Sequence, residues 1–154
     1  DTIINNIRFG NEKASKKEIE KVCEIAGIHK EILKFKDQYN TMLGERGVNL
    51  SGGQKQRVCI ARALVKKPKI LIMDDCLSAL DTETEEKIIK SLNEYIKDTT
   101  TIISSHRISS IQNLDKIIVL NDGKIIQKGS HEELINENGY YKQLYFKQLT
   151  EKED

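Results

Sequence analysis

Asn49-Leu50-Ser51-Gly52-Gly53-Gln54-Lys55-Gln56-Arg57 sets a polar, glycine-rich turn directly before a helix-period apolar pattern, and that junction constrains the fold more than any other segment. Val58, Ala61, Leu64 and Val65 recur at helical spacing and Pro68 closes the run, so the spacing predicts a helix over 51–66 that opens on Ser51, Gly52, Gly53 and Gln54. The first N–H groups of a helix lack intrahelical acceptors, and its N-terminal dipole favours negative charge. Two glycines let an anion approach the backbone, and Ser51 can either cap the helix or hydrogen-bond a phosphate oxygen. On these residues alone, a capped helix and a phosphate contact both remain open.

The rest of the chain falls into two patterns. Residues 1–66 are nearly all helical: Ser15-x-x-Glu18 is a capping box ahead of Ile19, Val22, Cys23, Ile25 and Ala26, Gly27 stops that helix, and a short helix is expected over 29–35. After residue 69 strands alternate with helices, which indicates an α/β core. Ile70-Leu71-Ile72-Met73 is a short apolar run ending in Asp74 and Asp75, as expected of a buried parallel strand with its functional residues at the carboxyl end. A helix over 84–95, strands over 100–104 and 116–120, and a hairpin partner over 124–127 after Asn121-Asp122-Gly123 follow. Ser130-x-x-Glu133 and the spacing of Tyr140, Leu144, Tyr145 and Leu149 give two C-terminal helices.

With 25 Lys+Arg against 24 Asp+Glu, the net charge of +1 offers no general field for nucleic acid. No run approaches the roughly 18 apolar residues of a membrane span. Cys23, Cys59 and Cys76 are odd in number and lack a C-x-x-C pattern, so they are expected to pack as small apolar side chains in a reduced compartment. Alone, Asp74 and Asp75 read equally as a turn, Asp81 as a helix cap, His29, His106 and His131 as surface loop histidines, and Gly44-Glu45-Arg46-Gly47 as a polar connection.

The string LSGGQKQR, followed by ARAL, ILIMDD and SALD, resembles the signature region of ATP-binding-cassette (ABC) ATPases. The resemblance implies a partial P-loop NTPase (RecA-like) α/β core with parallel strands over 67–154, beside a helical signature subdomain over 1–66. It implies that Ser51, Gly52, Gly53 and Gln54 contact the phosphates of ATP held by another chain, that Asp74 ends a Walker B strand and serves Mg²⁺, and that Asp81 lies in the loop joining two nucleotide-binding domains. His106 matches the switch histidine, which contacts the γ-phosphate. Asp75 stands where the family usually has a glutamate that polarises the attacking water, so weak hydrolysis at this chain's own site is expected. Thr41, Gly44, Glu45, Arg46 and Gly47 resemble the exporter loop that touches a transmembrane domain, which would place the intact protein at the cytoplasmic face of the plasma (inner) membrane.

No G-x-x-x-x-G-K-[S/T] occurs; the one Gly-Lys pair, Gly123-Lys124, lacks the earlier glycine. These residues therefore resemble the C-terminal part of a nucleotide-binding domain, expected to bind little ATP by itself and to leave open strand edges through which two copies can pair. Two other readings are a non-transport ABC ATPase and a non-catalytic interaction module derived from the family.

Overall fold

The computed structural model describes residues 1–44 and 47–151, which form two compact units, Asp1–Ser104 and Ser105–Asp154. In the first unit, α1 (Ile3–Arg8), α2 (Lys16–Ile25), α3 (His29–Ile32) and α4 (Gly52–Leu64) precede β1 (Ile70–Asp74), α5 (Thr82–Tyr95) and β2 (Thr100–Ser104). Local chemistry explains most boundaries. Thr2, Ser15, Ser51 and Asp81 each accept a backbone N–H inside the helix that they start, and Ser15 with Glu18 completes the expected capping box. Gly27 ends α2 at φ +67°, a left-handed conformation that glycine adopts freely. α4 is two residues shorter at its C-terminus than the sequence predicts: the chain leaves the helix at Val65, and Lys67 takes φ +51° before Pro68.

Ile3, Ile7, Ile19, Leu64, Ile88 and Leu92 are essentially fully buried in one core shared by α1, α2, α4 and α5. β1 and β2 pair in parallel, Ile70 opposite Thr100 through Asp74 opposite Ser104. Their burial alternates. Leu71 and Met73 enter the core, whereas Ile70 and Ile72 are 62% and 68% exposed. The expectation of a buried strand therefore holds for one face only. The described residues pair just two strands here, and the side bearing Ile70, Ile72 and Ile102 is open, whereas parallel sheets are ordinarily covered on both faces.

The second unit contains an antiparallel hairpin, β3 (Ile117–Asn121) and β4 (Lys124–Gly129), followed by α6 (His131–Asn136) and α7 (Tyr140–Thr150). Asp122 and Gly123 turn the hairpin at φ +48° and +72°, the two positive values that a type I′ turn needs. Ile108, Ile117, Leu134 and Tyr141 form its core. Two expectations need correcting. His29 and His131 are not free surface-loop histidines, because each Nδ1 lies 2.7–2.8 Å from a tyrosine hydroxyl, of Tyr39 and Tyr141 respectively. Of the cysteines, Cys23 is buried, with its thiol pushed up to about 12 chiefly by burial, and Cys76 is partly buried, but Cys59 is exposed on α4.

No helix among the described residues is long and apolar enough to cross a membrane. Truncating Leu64, which is 0% exposed, to alanine should destabilise the fold by about 2–5 kcal/mol. Phe9→Ala, at an 80% exposed position, should stay within about 0.5 kcal/mol. Urea unfolding of the two variants checks both values.

Candidate functional site

α4 begins with a complete capping box. Ser51 Oγ accepts from the Gln54 N–H at 3.2 Å, and Gln54 Oε1 accepts from the Ser51 N–H at 2.9 Å. The amides of Gly52 and Gly53 then occupy the first helical positions, where no intrahelical acceptor exists. Ser51 and Gly52 are exposed. Gly53 has a further structural reason: a Cβ there would lie 3.0 Å from the Ala79 carbonyl oxygen and 2.9 Å from Leu80 Cδ2. Glycine at 53 thus lets the turn pack against the segment 79–80, in addition to any approach by an anion.

Behind the turn lies a charge network that the sequence did not reveal. Arg57, 8% exposed, donates from Nη1 to Glu31 Oε1 at 2.5 Å and to the Gly27 carbonyl at 2.8 Å, and from Nε to the Gly53 carbonyl at 3.2 Å. Glu31 Oε2 also accepts from Gln54 Nε2 at 2.8 Å. The Gln54 side chain is therefore held at both ends, its oxygen by the cap and its nitrogen by Glu31. Burial by itself raises the Glu31 pKa, but the hydrogen bonds from Arg57 and Gln54 outweigh it and hold the carboxyl below its ordinary 4.5.

The acidic strand end is joined to the same helix. Asp74 is the last residue of β1, and both it and Asp75 are exposed. Asp75 takes φ +46°, and its N–H donates to the Ser104 carbonyl at 3.1 Å. Aspartate tolerates this left-handed geometry better than most residues. Gln56 bridges the loop that follows: its Oε1 accepts from the Ala79 N–H at 3.0 Å, and its Nε2 donates to Ser78 Oγ at 3.2 Å. Asp81 Oδ1 caps α5 by accepting from the Thr84 N–H at 2.9 Å, a bond that lowers its carboxyl pKa.

In the second unit, His106 is exposed on the turn before a 3-10 segment at Ile108–Ser110. In the first, Thr41 is only 4% exposed and its hydroxyl has no hydrogen-bond partner among the described residues, so it does not present its side chain to a partner directly. Gly47 donates to the Gly44 carbonyl at 2.9 Å, closing the loop; Glu45 and Arg46 lie outside the described residues.

These residues fit nucleotide chemistry in part. The Gly52 and Gly53 amides and the exposed Ser51 suit a phosphate. Among the described residues no group of three or more His, Cys, Asp and Glu side chains is arranged to hold a metal. Asp74 can thus supply one ligand to a Mg²⁺ whose remaining positions nucleotide phosphates and water would fill.

The ABC transporter family model matches residues 2–78. The multidrug resistance-like ATP-binding protein MdlA of Buchnera aphidicola is 51% identical over 154 residues, which cover 99% of this chain and 26% of that protein. ATP-binding cassette sub-family B member 6 of Xenopus tropicalis is 48% identical over 150 residues, covering 97% and 18%. A solved bacterial Atm1-family ABC exporter with ATP bound superposes with a TM-score of 0.90 at 42% identity, covering 96% of this chain and 26% of that one. The fold is that of an ABC ATPase: part of a P-loop NTPase core beside helices that carry the signature turn. The chain belongs to the ABC transporter family, and it spans only 18–26% of the length of these relatives.

The electrostatics of the signature turn carry a pH signature. Because the folded-state pKa of Glu31 is depressed, its stabilisation is fully present above the ordinary 4.5 and is lost as pH falls through the lower folded value. Replacing Arg57 by glutamine should move the Glu31 midpoint upward, since burial then meets less opposition. Carboxyl-carbon NMR titration of the two proteins checks the direction.

Proposed function

We propose that this protein is the ATP-hydrolysing, energy-coupling part of an ABC exporter, working between two head-to-tail nucleotide-binding domains at the cytoplasmic face of a membrane. The observation that carries the reading is the exposed turn at Ser51 and Gly52, presented on a helix locked from behind by Arg57, Glu31 and Gln56. The Gly52 and Gly53 amides there have no intrahelical acceptor. The similarity to a solved ABC exporter over 96% of the chain supports transport rather than a non-transport ATPase.

In this reading, 1–66 serve as the signature subdomain and 67–154 as the C-terminal part of the catalytic core. Ser51, Gly52, Gly53 and Gln54 hold the phosphates of ATP bound mainly to a second nucleotide-binding domain, where removing a donor aimed at developing charge costs about 10²-fold or more in turnover. Asp74 serves the Mg²⁺ of this chain's own nucleotide, Asp75 its attacking water, and Asp81 lies against the partner domain, while His106 has the role of a γ-phosphate contact. Thr41, Gly44, Glu45, Arg46 and Gly47 serve the transmembrane domain, Thr41 from a buried position. ATP and Mg²⁺ supply the phosphoryl group and its charge neutralisation; these residues position them. The isolated chain, without a P-loop, binds Mg-ATP negligibly, and its open strand edges can pair two copies.

Asp75 makes this chain's own site the weaker of two, while its signature turn serves the partner's, as in an asymmetric heterodimer. An aspartate withdraws the carboxylate by one methylene, and a misplacement of about 1 Å can cost roughly 10²-fold in rate. In the protein as its gene encodes it, assembled with its native partner, Asp75→Glu should raise ATP turnover at that site, with a small loss of stability because glutamate suits φ +46° less well. Gly52→Asp, which sets a negative charge at the phosphate position, should abolish turnover at the other site. Phosphate release measured with each site inactivated in turn separates the two effects. Equal rates for Asp75 and Asp75→Glu would sink the asymmetric reading.

A further inference from the structure

We infer that Gln148, on the C-terminal helix α7, is a positioning residue for His106. Its amide clamps the main chain on both sides of Arg107. Nε2 donates to the His106 carbonyl at 2.7 Å, and Oε1 accepts from the Ile108 N–H at 2.9 Å. The two contacts span 42 and 40 residues of sequence, so they tie the His106 turn to an element that local structure would not bring there.

The clamp sits between a fixed and a free end. Ile108 is 2% exposed in the core of the second unit, with Ile117, Leu134 and Tyr141. His106 is exposed, two residues before it. Ser105 Oγ accepts from the Arg107 N–H at 3.0 Å and so shapes the same turn, but among the described contacts only Gln148 holds the His106 carbonyl. Fixing that carbonyl restricts the backbone torsions from which the imidazole projects. An exposed histidine meant to meet a phosphate needs such pre-set direction, because a small misplacement of a catalytic group is costly.

The amide is also chemically specific. One contact needs a donor and the other an acceptor, and a glutamine side chain supplies both. A carboxylate supplies acceptors only, and would set an oxygen against the His106 carbonyl. A protonated carboxyl restores the donor. This gives the clamp a pH signature that a merely space-filling side chain lacks.

The inference rests on the reading of His106 as a γ-phosphate contact, and the test separates the two. In the protein as its gene encodes it, assembled with its native partner and with the other site silenced by Gly52→Asp, kcat and KM for Mg-ATP at this chain's own site are measured for the parent, His106→Ala, Gln148→Leu and Gln148→Glu. Gln148→Leu should lose about tenfold in kcat with KM little changed, the pattern of a misdirected rather than an absent binding group. Gln148→Glu should be equally slow near neutral pH, and its kcat relative to the parent should rise as pH falls toward the carboxyl range of about 4–5. Parental turnover in Gln148→Leu, or a pH-independent ratio for Gln148→Glu, overturns the positioning role even where His106→Ala is inactive. Parental turnover in His106→Ala overturns the reading of His106 and the clamp with it.

Discussion

The close approach of Gly53 to the Ala79 carbonyl is the constraint on which the site in the first unit depends. A side chain at 53 would crowd the segment after β1, since its Cβ would lie 3.0 Å from that oxygen and 2.9 Å from Leu80 Cδ2. Contact at backbone distance lets Gln56 reach the Ala79 N–H and the Ser78 hydroxyl from the next turn of the same helix. The signature turn and the segment that follows the acidic strand end are therefore one packed assembly. Close packing thus fixes the position of each against the other.

Arg57 adds electrostatic stiffness to that packing. A guanidinium left only 8% exposed must find acceptors, and it has them in the Glu31 carboxylate and the carbonyls of Gly27 and Gly53. Glu31 in turn orients the Gln54 amide, so the direction of a signature side chain is set by a residue on a different helix. In the second unit, Gln148 does for the His106 turn what Glu31 does for Gln54. In both cases a polar group is aimed by one that is distant in sequence.

Much of this was legible in the chain itself. The capping boxes at Ser15 and Ser130 marked helix starts because a serine followed three residues later by Glu satisfies two orphan amides locally. The turn at Asp122 and Gly123 was equally local. Motif order, read as a resemblance, gave the family. The partial exposure of β1 was harder to see, because an apolar run does not say how many faces will be covered. The pairing of His29 with Tyr39 and of His131 with Tyr141 also escaped, since a ten-residue separation leaves no periodic trace.

Sequence by itself determined where the helices and strands begin, the order of the motifs, and the family, because caps, turns and hydrophobic periods act within a few residues. Tertiary structure alone decided what each site residue is held by. It turned Gly53 from a place for an anion into a packing requirement as well, buried Thr41, exposed Cys59, and enlisted Glu31, Gln56, Arg57 and Gln148 as supports. The physical reason is range: a hydrogen bond across 20 to 40 residues depends on how elements pack, and packing is a property of the whole core rather than of any segment within it.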